Sequence, residues 1–241
     1  MGILGILLFA IVTALLLLTS RDLLRSRSAR RREDAAEESY ARGFHLLHRQ
    51  GRLDEAEAAL RTALAGSPAH AGVWNTLGLV LRAKGDVAAA RAAFQSAARI
   101  APDDATPWLN LGELAARSRD LRAAITAFRC AIAIDPTDRL ARLNLGNALF
   151  RAGRPDEAIE SLEEAARIAE KDAQPLYWLG FCRIAMSDPA GAALAFEEAV
   201  RREPEYARGY WALAGALSAM GRSEEAEAAK ARALAIDPHL S

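Results

Sequence analysis

His45 and His48 lie three residues apart, the spacing that puts two imidazoles on one face of a helix, as a pair of metal ligands requires. No Cys, Asp or Glu nearby completes a four-ligand set, so the pair reads as surface histidine. The chain has no glycine-rich phosphate loop, no nucleophile elbow and no C-x2-C pair. Neither a metal nor a cofactor is expected, and no enzymatic activity. What remains is recognition. Asn110, Asn144 and Asn147 carry amides that donate and accept at once, so they can pair with an extended backbone whatever its side chains. Phe150, Tyr177, Trp178, Phe181 and Trp211 gather in the C-terminal part and offer the large rings that anchor bound chains.

The elements that position these residues follow from a repeat. Asn110 and Asn144 are 34 residues apart, and 34 is the period of the chain. Trp74, Leu77, Gly78, Leu81 and Gly85, followed by Ala90, Phe94, Ala97 and Pro102, recur as Trp108, Leu111, Gly112, Ala124, Phe128, Ala131 and Pro136. One period earlier stand Tyr40, Leu47, Gly51, Ala56, Leu60, Ala63 and Pro68. Such self-similarity decides the fold before any local reading does. The pattern resembles the tetratricopeptide (TPR) repeat family, of a membrane-anchored bacterial type. The resemblance implies an all-α fold, a right-handed α-solenoid of six TPR helix-turn-helix repeats, and the apolar N-terminal run adds one preceding transmembrane helix. The repeats span 37–70, 71–104, 105–138, 139–172, 173–206 and 207–240, behind a transmembrane segment at 1–20 and an arginine-rich linker at 21–36.

Counted from each repeat's first residue, position 15 ends the first helix with Gly51, Gly85, Gly153 and Gly221, the residue that tolerates positive φ. Arg119 and Ser187 replace it at some local cost. Gly78, Gly112, Gly146 and Gly180 at position 8 let the second helix approach the first, with the position-20 alanines from Ala56 to Ala226 expected opposite them. The first repeat reads Gly43-Phe44 where the pattern has Leu-Gly, which predicts irregular packing. In the last, Lys230 stands where the other repeats carry Phe or Leu, giving a wetter terminal helix. Leu234 and Ile236 there leave apolar surface for a partner or a second copy, so homo-oligomerisation stays open.

The resemblance further implies that positions 2, 5, 6, 9, 12 and 13 of each first helix line a concave groove. Asn110, Asn144, Asn147, Phe150, Tyr177, Trp178, Phe181 and Trp211 fall on them and are the expected peptide-binding residues. Position 4 is the repeat's structural aromatic, so the two tryptophans are not needed for the frame. Leu176 at position 4 of the fifth repeat leaves a second reading open, in which Trp178 takes over packing. Some family members grip a C-terminal carboxylate with Lys, Asn and Arg at set positions. Here Asn147 fits that set but Leu143, Trp178 and Ala212 do not.

Met1 to Ser20 carries no charged side chain, and twelve positions from Ile3 to Leu18 are Leu, Ile, Phe or Val. At roughly −0.5 kcal/mol each, they favour insertion by about 6 kcal/mol. No Lys or Arg precedes this run and no small-x-small site follows it, which disfavours a cleaved signal peptide. Arg21, Arg25, Arg27, Arg30, Arg31 and Arg32, against Asp22 alone, give the next segment +5 in a chain of zero net charge. That split points to the lipid bilayer surface and away from nucleic acid. The positive-inside rule places the TPR domain in the cytoplasm of a single-pass protein in the bacterial inner membrane. The opposite topology would describe a periplasmic assembly factor. Cys130 and Cys182 sit too far apart in a repeat array to bridge. The function these readings imply is a membrane-tethered TPR scaffold that binds a peptide segment of a partner protein, with self-assembly on the membrane as the alternative.

Overall fold

The computed structural model describes residues 29–47 and 52–240, and among them the regular structure is helical with no strand. The expected span at 1–20 lies outside the described residues, as do Arg21, Arg25 and Arg27. No described helix is long and apolar enough to cross a membrane. The chain divides into two compact units, residues 1–101 and 102–241.

The first unit holds α1 (residues 29–47), α2 (Leu53–Gly66), α3 (Ala71–Lys84) and α4 (Val87–Ile100). Arg30, Arg31 and Arg32 are exposed on α1, so this part of the linker is helical. The out-of-pattern Gly43 turns out to do the work of a position-8 glycine. A Cβ there would lie 2.7 Å from Leu60 Cγ, so the glycine still faces the position-24 side chain, while Phe44 next to it is 45% exposed. Lys84 at the end of α3 reaches Asp54 (2.5 Å) and the buried Glu57 (2.6 Å) on α2.

The second unit runs α5 (Thr106–Arg117), α6 (Leu121–Ile134), α7 (Arg139–Arg151), α8 (Pro155–Ile168), α9 (Gln174–Ala185), α10 (Pro189–Arg202), α11 (Ala207–Ala219) and α12 (Ser223–Ile236). Each helix packs on the next, and α5, α7, α9 and α11 also touch in series, so their exposed sides form one face.

Turn chemistry recurs with small variations. Gly85, Gly153 and Gly221 have φ of 85°, 76° and 75°, and Arg119 and Ser187 at the equivalent positions are forced to 61°. For a residue with a Cβ that conformation costs about 1–2 kcal/mol. Second helices start in one of two ways. Asp86, Asp120 and Asp188 accept the N–H of the third residue on, which caps α4, α6 and α10. Arg52, Arg154 and Arg222 instead hold Glu55, Glu157 and Glu225 in two-pronged pairs.

The nearest neighbours of the position-8 glycines are the rings and the leucine of position 24. A Cβ would come within 2.5 Å of Phe94 at Gly78, 2.4 Å of Phe128 at Gly112, 2.4 Å of Leu162 at Gly146 and 2.3 Å of Phe196 at Gly180. No real Cβ contact is that short, so the large residue at position 24 lies on bare helix backbone. Phe94, Phe128, Leu162 and Phe196 are accordingly fully buried. The alanines at position 20, such as Ala124, Ala158 and Ala192, are buried as well.

Candidate functional site

Gly180 is where the site begins. Because α9 lacks a side chain there, the Phe196 ring of α10 slides beneath it, 5.4 Å from the Phe181 ring and 6.1 Å from that of Tyr177. Tyr177 and Phe181, one helical turn apart, meet edge to face at 4.9 Å. Tyr206, just before α11, closes on Tyr177 at 5.4 Å. The lower edges of Tyr177 and Phe181 are thus fixed by packing while both residues stay half-buried. Their open sides line a cleft of about 580 Å³ together with Ile184, Arg208, Trp211, Gly215 and Leu240.

Trp211 and Trp178 part company. Trp211 lines this cleft and also a neighbouring recess of about 310 Å³ shared with Lys230 and Glu227. The Lys230 ammonium stands 5.8 Å from its ring centroid, a cation–π contact. Trp178 instead leans on the core of the second unit, with Phe150 at 5.8 Å and Phe181 at 6.1 Å. The substitute-packing reading left open for Trp178 describes this geometry. Trp74 shows how an indole N–H is satisfied in this chain, donating to the Pro68 carbonyl at 2.8 Å. The N–H of Trp211 has no acceptor among the described residues.

The amides divide in the same way. Asn144 and Asn147 are half-buried and line a recess of about 270 Å³ with Glu113, Arg117 and Arg151. Asn110 is only 9% exposed, so the expected ladder of Asn110 and Asn144 does not present two equal rungs. Phe150 is half-buried between Trp178 and Phe181 and does not line the cleft.

Burial sets the acid–base character. It pushes the Tyr206 hydroxyl up to about 12, with Tyr177 adding to the rise, and raises Tyr177 itself. It also pushes the Cys182 thiol up to about 11, which makes this thiol a poor nucleophile at neutral pH. Cys130 and Cys182 are both free. His45 is exposed and His48 lies outside the described residues. Among the described residues no three His, Cys, Asp or Glu side chains group to hold a metal. The arrangement offers an apolar cleft with a cationic end and an amide-lined recess on the same face.

Gly215, Leu240, Phe196 and Tyr206 belong to this site and were not singled out by the sequence reading. One signal was available for Gly215: a glycine in a helix interior that the position-8 pattern does not explain, since Ala214 holds position 8 in the last repeat. A Cβ at Gly215 would meet nothing within 4 Å.

The tetratricopeptide repeat model matches residues 42–105 and 109–173, and a second model of the same repeat matches 183–240. No protein of curated function matches the sequence. Among solved structures, MamA is 25% identical, with a TM-score of 0.64 over 67% of this chain and 95% of that one. YrrB, described as a TPR protein with an unusual peptide-binding site, is 18% identical, with a TM-score of 0.65 over 76% and 94%. PilF of Pseudomonas aeruginosa is 16% identical, with a TM-score of 0.70 over 87% and 95%.

Proposed function

Since the chain belongs to the tetratricopeptide repeat family, we propose that it is a scaffold that takes a segment of a partner protein into the cleft of α9 and α11. The observation that carries this is Trp211. Its indole is half-buried and stands beside Tyr177 and Phe181, which are braced from below. An aromatic set rigid on one side and open on the other is what a binding hot spot requires, because little side-chain entropy is left to lose. Asn144 and Asn147 would hold main chain in the recess of α5 and α7 on the same face. YrrB, the like-folded protein with a peptide-binding site, supports the class of function.

Membrane tethering through residues 1–20 and a cytoplasmic location for the repeats remain part of this proposal. Their support is the uncharged apolar run and the arginines after it. A reporter fused after Ser241 tests the topology, and activity of a periplasm-only reporter there would reverse it.

A photo-crosslinking amino acid at position 211, activated in membranes and followed by mass spectrometry, tests the groove. Adducts are expected from position 211 and not from the exposed Gln95 on α4. Equal yields from both would remove the assignment.

Exposure of Leu194 at 67% on α10 favours a second reading, self-association of the scaffold. Sedimentation of the full chain in detergent separates the two. A concentration-dependent series that Leu194→Lys abolishes supports assembly.

A further inference from the structure

We infer that the segment bound on this face carries acidic side chains on both flanks of a bulky apolar pair. The inference rests on the proposed groove and adds the chemistry of its occupant.

Three exposed arginines carry it: Arg117 on α5, Arg151 on α7 and Arg208 on α11. None of them has a carboxylate partner among the described residues. Arg129 pairs with Glu157 (3.1 Å) and Arg139 with Asp172 (3.0 Å), while Arg119 and Arg122, which also lack a carboxylate partner among the described residues, line neither the cleft nor the recess. Arg183, on the intervening helix α9, is occupied by Glu163 and Asp188. Glu113, the acid of the recess that holds Arg117 and Arg151, is itself engaged. On this face the unpaired cations therefore stand on α5 and α7 on one side and on α11 on the other, with Tyr177 and Phe181 of α9 between them.

A guanidinium exposed beside apolar surface is weakly hydrated and presents a planar fork of donors, which matches a carboxylate. One chain terminus supplies a single carboxylate and cannot serve both ends of the face, so the acids must be Asp or Glu side chains. Neighbouring packed helices lie about 8–10 Å apart, so crossing from α5 to α11 takes about 25–30 Å. At about 3.3 Å per residue, that is roughly eight or nine extended residues. The predicted order is acids at the Arg117 and Arg151 end, a bulky apolar pair over Tyr177, Phe181 and Trp211, then acid at Arg208.

Panning a displayed random dodecapeptide library on the full chain in detergent tests this, with selected sequences remade as C-terminally amidated peptides. Acids flanking an apolar pair are expected to be enriched. Their affinity should fall about tenfold in the variant Arg117→Gln/Arg151→Gln/Arg208→Gln, and also on raising salt from about 0.05 to 0.5 M. Circular dichroism checks that the variant is folded; the salt series reads the same charges without any substitution. Selected peptides that lose binding in Trp211→Ala but carry neutral or basic flanks would overturn the inference and leave the groove in place. Peptides indifferent to Trp211→Ala, or none selected at all, would remove the groove reading itself.

Discussion

Lys230 holds its ammonium 5.8 Å from the centre of the Trp211 ring, at the repeat position where Phe94, Phe128 and Phe196 lie buried on glycine. The exchange is matched within the hairpin. With no ring to accept, the first helix carries Ala214 where its counterparts carry Gly78, Gly112 and Gly180. The last repeat has thus moved its aromatic bulk from the core contact to the open face.

Stability should separate the two tryptophans. Trp178→Ala removes a ring packed against Phe150 and the core and is expected to cost about 2 kcal/mol or more. Trp211→Ala, whose ring faces a cleft, should cost less than about 1 kcal/mol. Urea unfolding of both variants decides it, and equal losses would mean that Trp211 is structural.

Glycines in neighbouring helices should respond with opposite signs. Gly180→Ala drives a Cβ into Phe196 and is expected to destabilise by about 1–3 kcal/mol. Gly215→Ala meets open space in a helix interior and should stabilise by about 0.5–1 kcal/mol. A destabilised Gly215→Ala would show that the helix is not regular there. If the variant is stable but binds peptide more weakly, the glycine is kept so that an occupant's backbone can come close.

Relieving the left-handed turns is a third measurement. Arg119→Gly and Ser187→Gly remove a Cβ from φ of 61°. Each should stabilise by up to about 1 kcal/mol, the strain relieved exceeding the entropy that glycine adds to the unfolded chain. The converse, Gly153→Ala at φ 76°, should destabilise by about 1 kcal/mol. Thermal melts of the three variants are sufficient.

Alkaline pH should weaken the second unit. Cys182 rises from 9.0 to about 11 and Tyr206 from 10.0 to about 12, both because burial disfavours the charged form. Between each pair of values the folded state holds a proton that the unfolded state has released, so stability falls as pH climbs from about 9 to 12. Tyr206→Phe should remove the late step from a tyrosinate absorbance titration. Persistence of that step would place the buried hydroxyl elsewhere.

The period, the turn glycines and the helical character of the repeats were legible in the sequence because each is a local demand repeated at a fixed interval. The partner of a glycine was not. A pattern says where space is needed but not whether Ala192 or Phe196 fills it. Leu176 at position 4 already set Trp178 apart from Trp211, and the two occupy positions 6 and 5 of their repeats, about 100° apart around a helix. Position 6 also holds Asn110, which is buried, whereas position 5 holds Tyr177, which opens on the cleft. Leu240 and Lys230 reached the site from segments read only as the end of the array.

Because Gly78, Gly112, Gly146 and Gly180 are each answered by a ring or leucine from their own hairpin, no hairpin depends on its neighbour for that fit. The same joint reaches the recognition face, because the Phe196 ring under Gly180 braces Tyr177 and Phe181 and Lys230 at the matching position meets Trp211. Such a chain can change specificity one module at a time, with the joint and the face of a hairpin changing together.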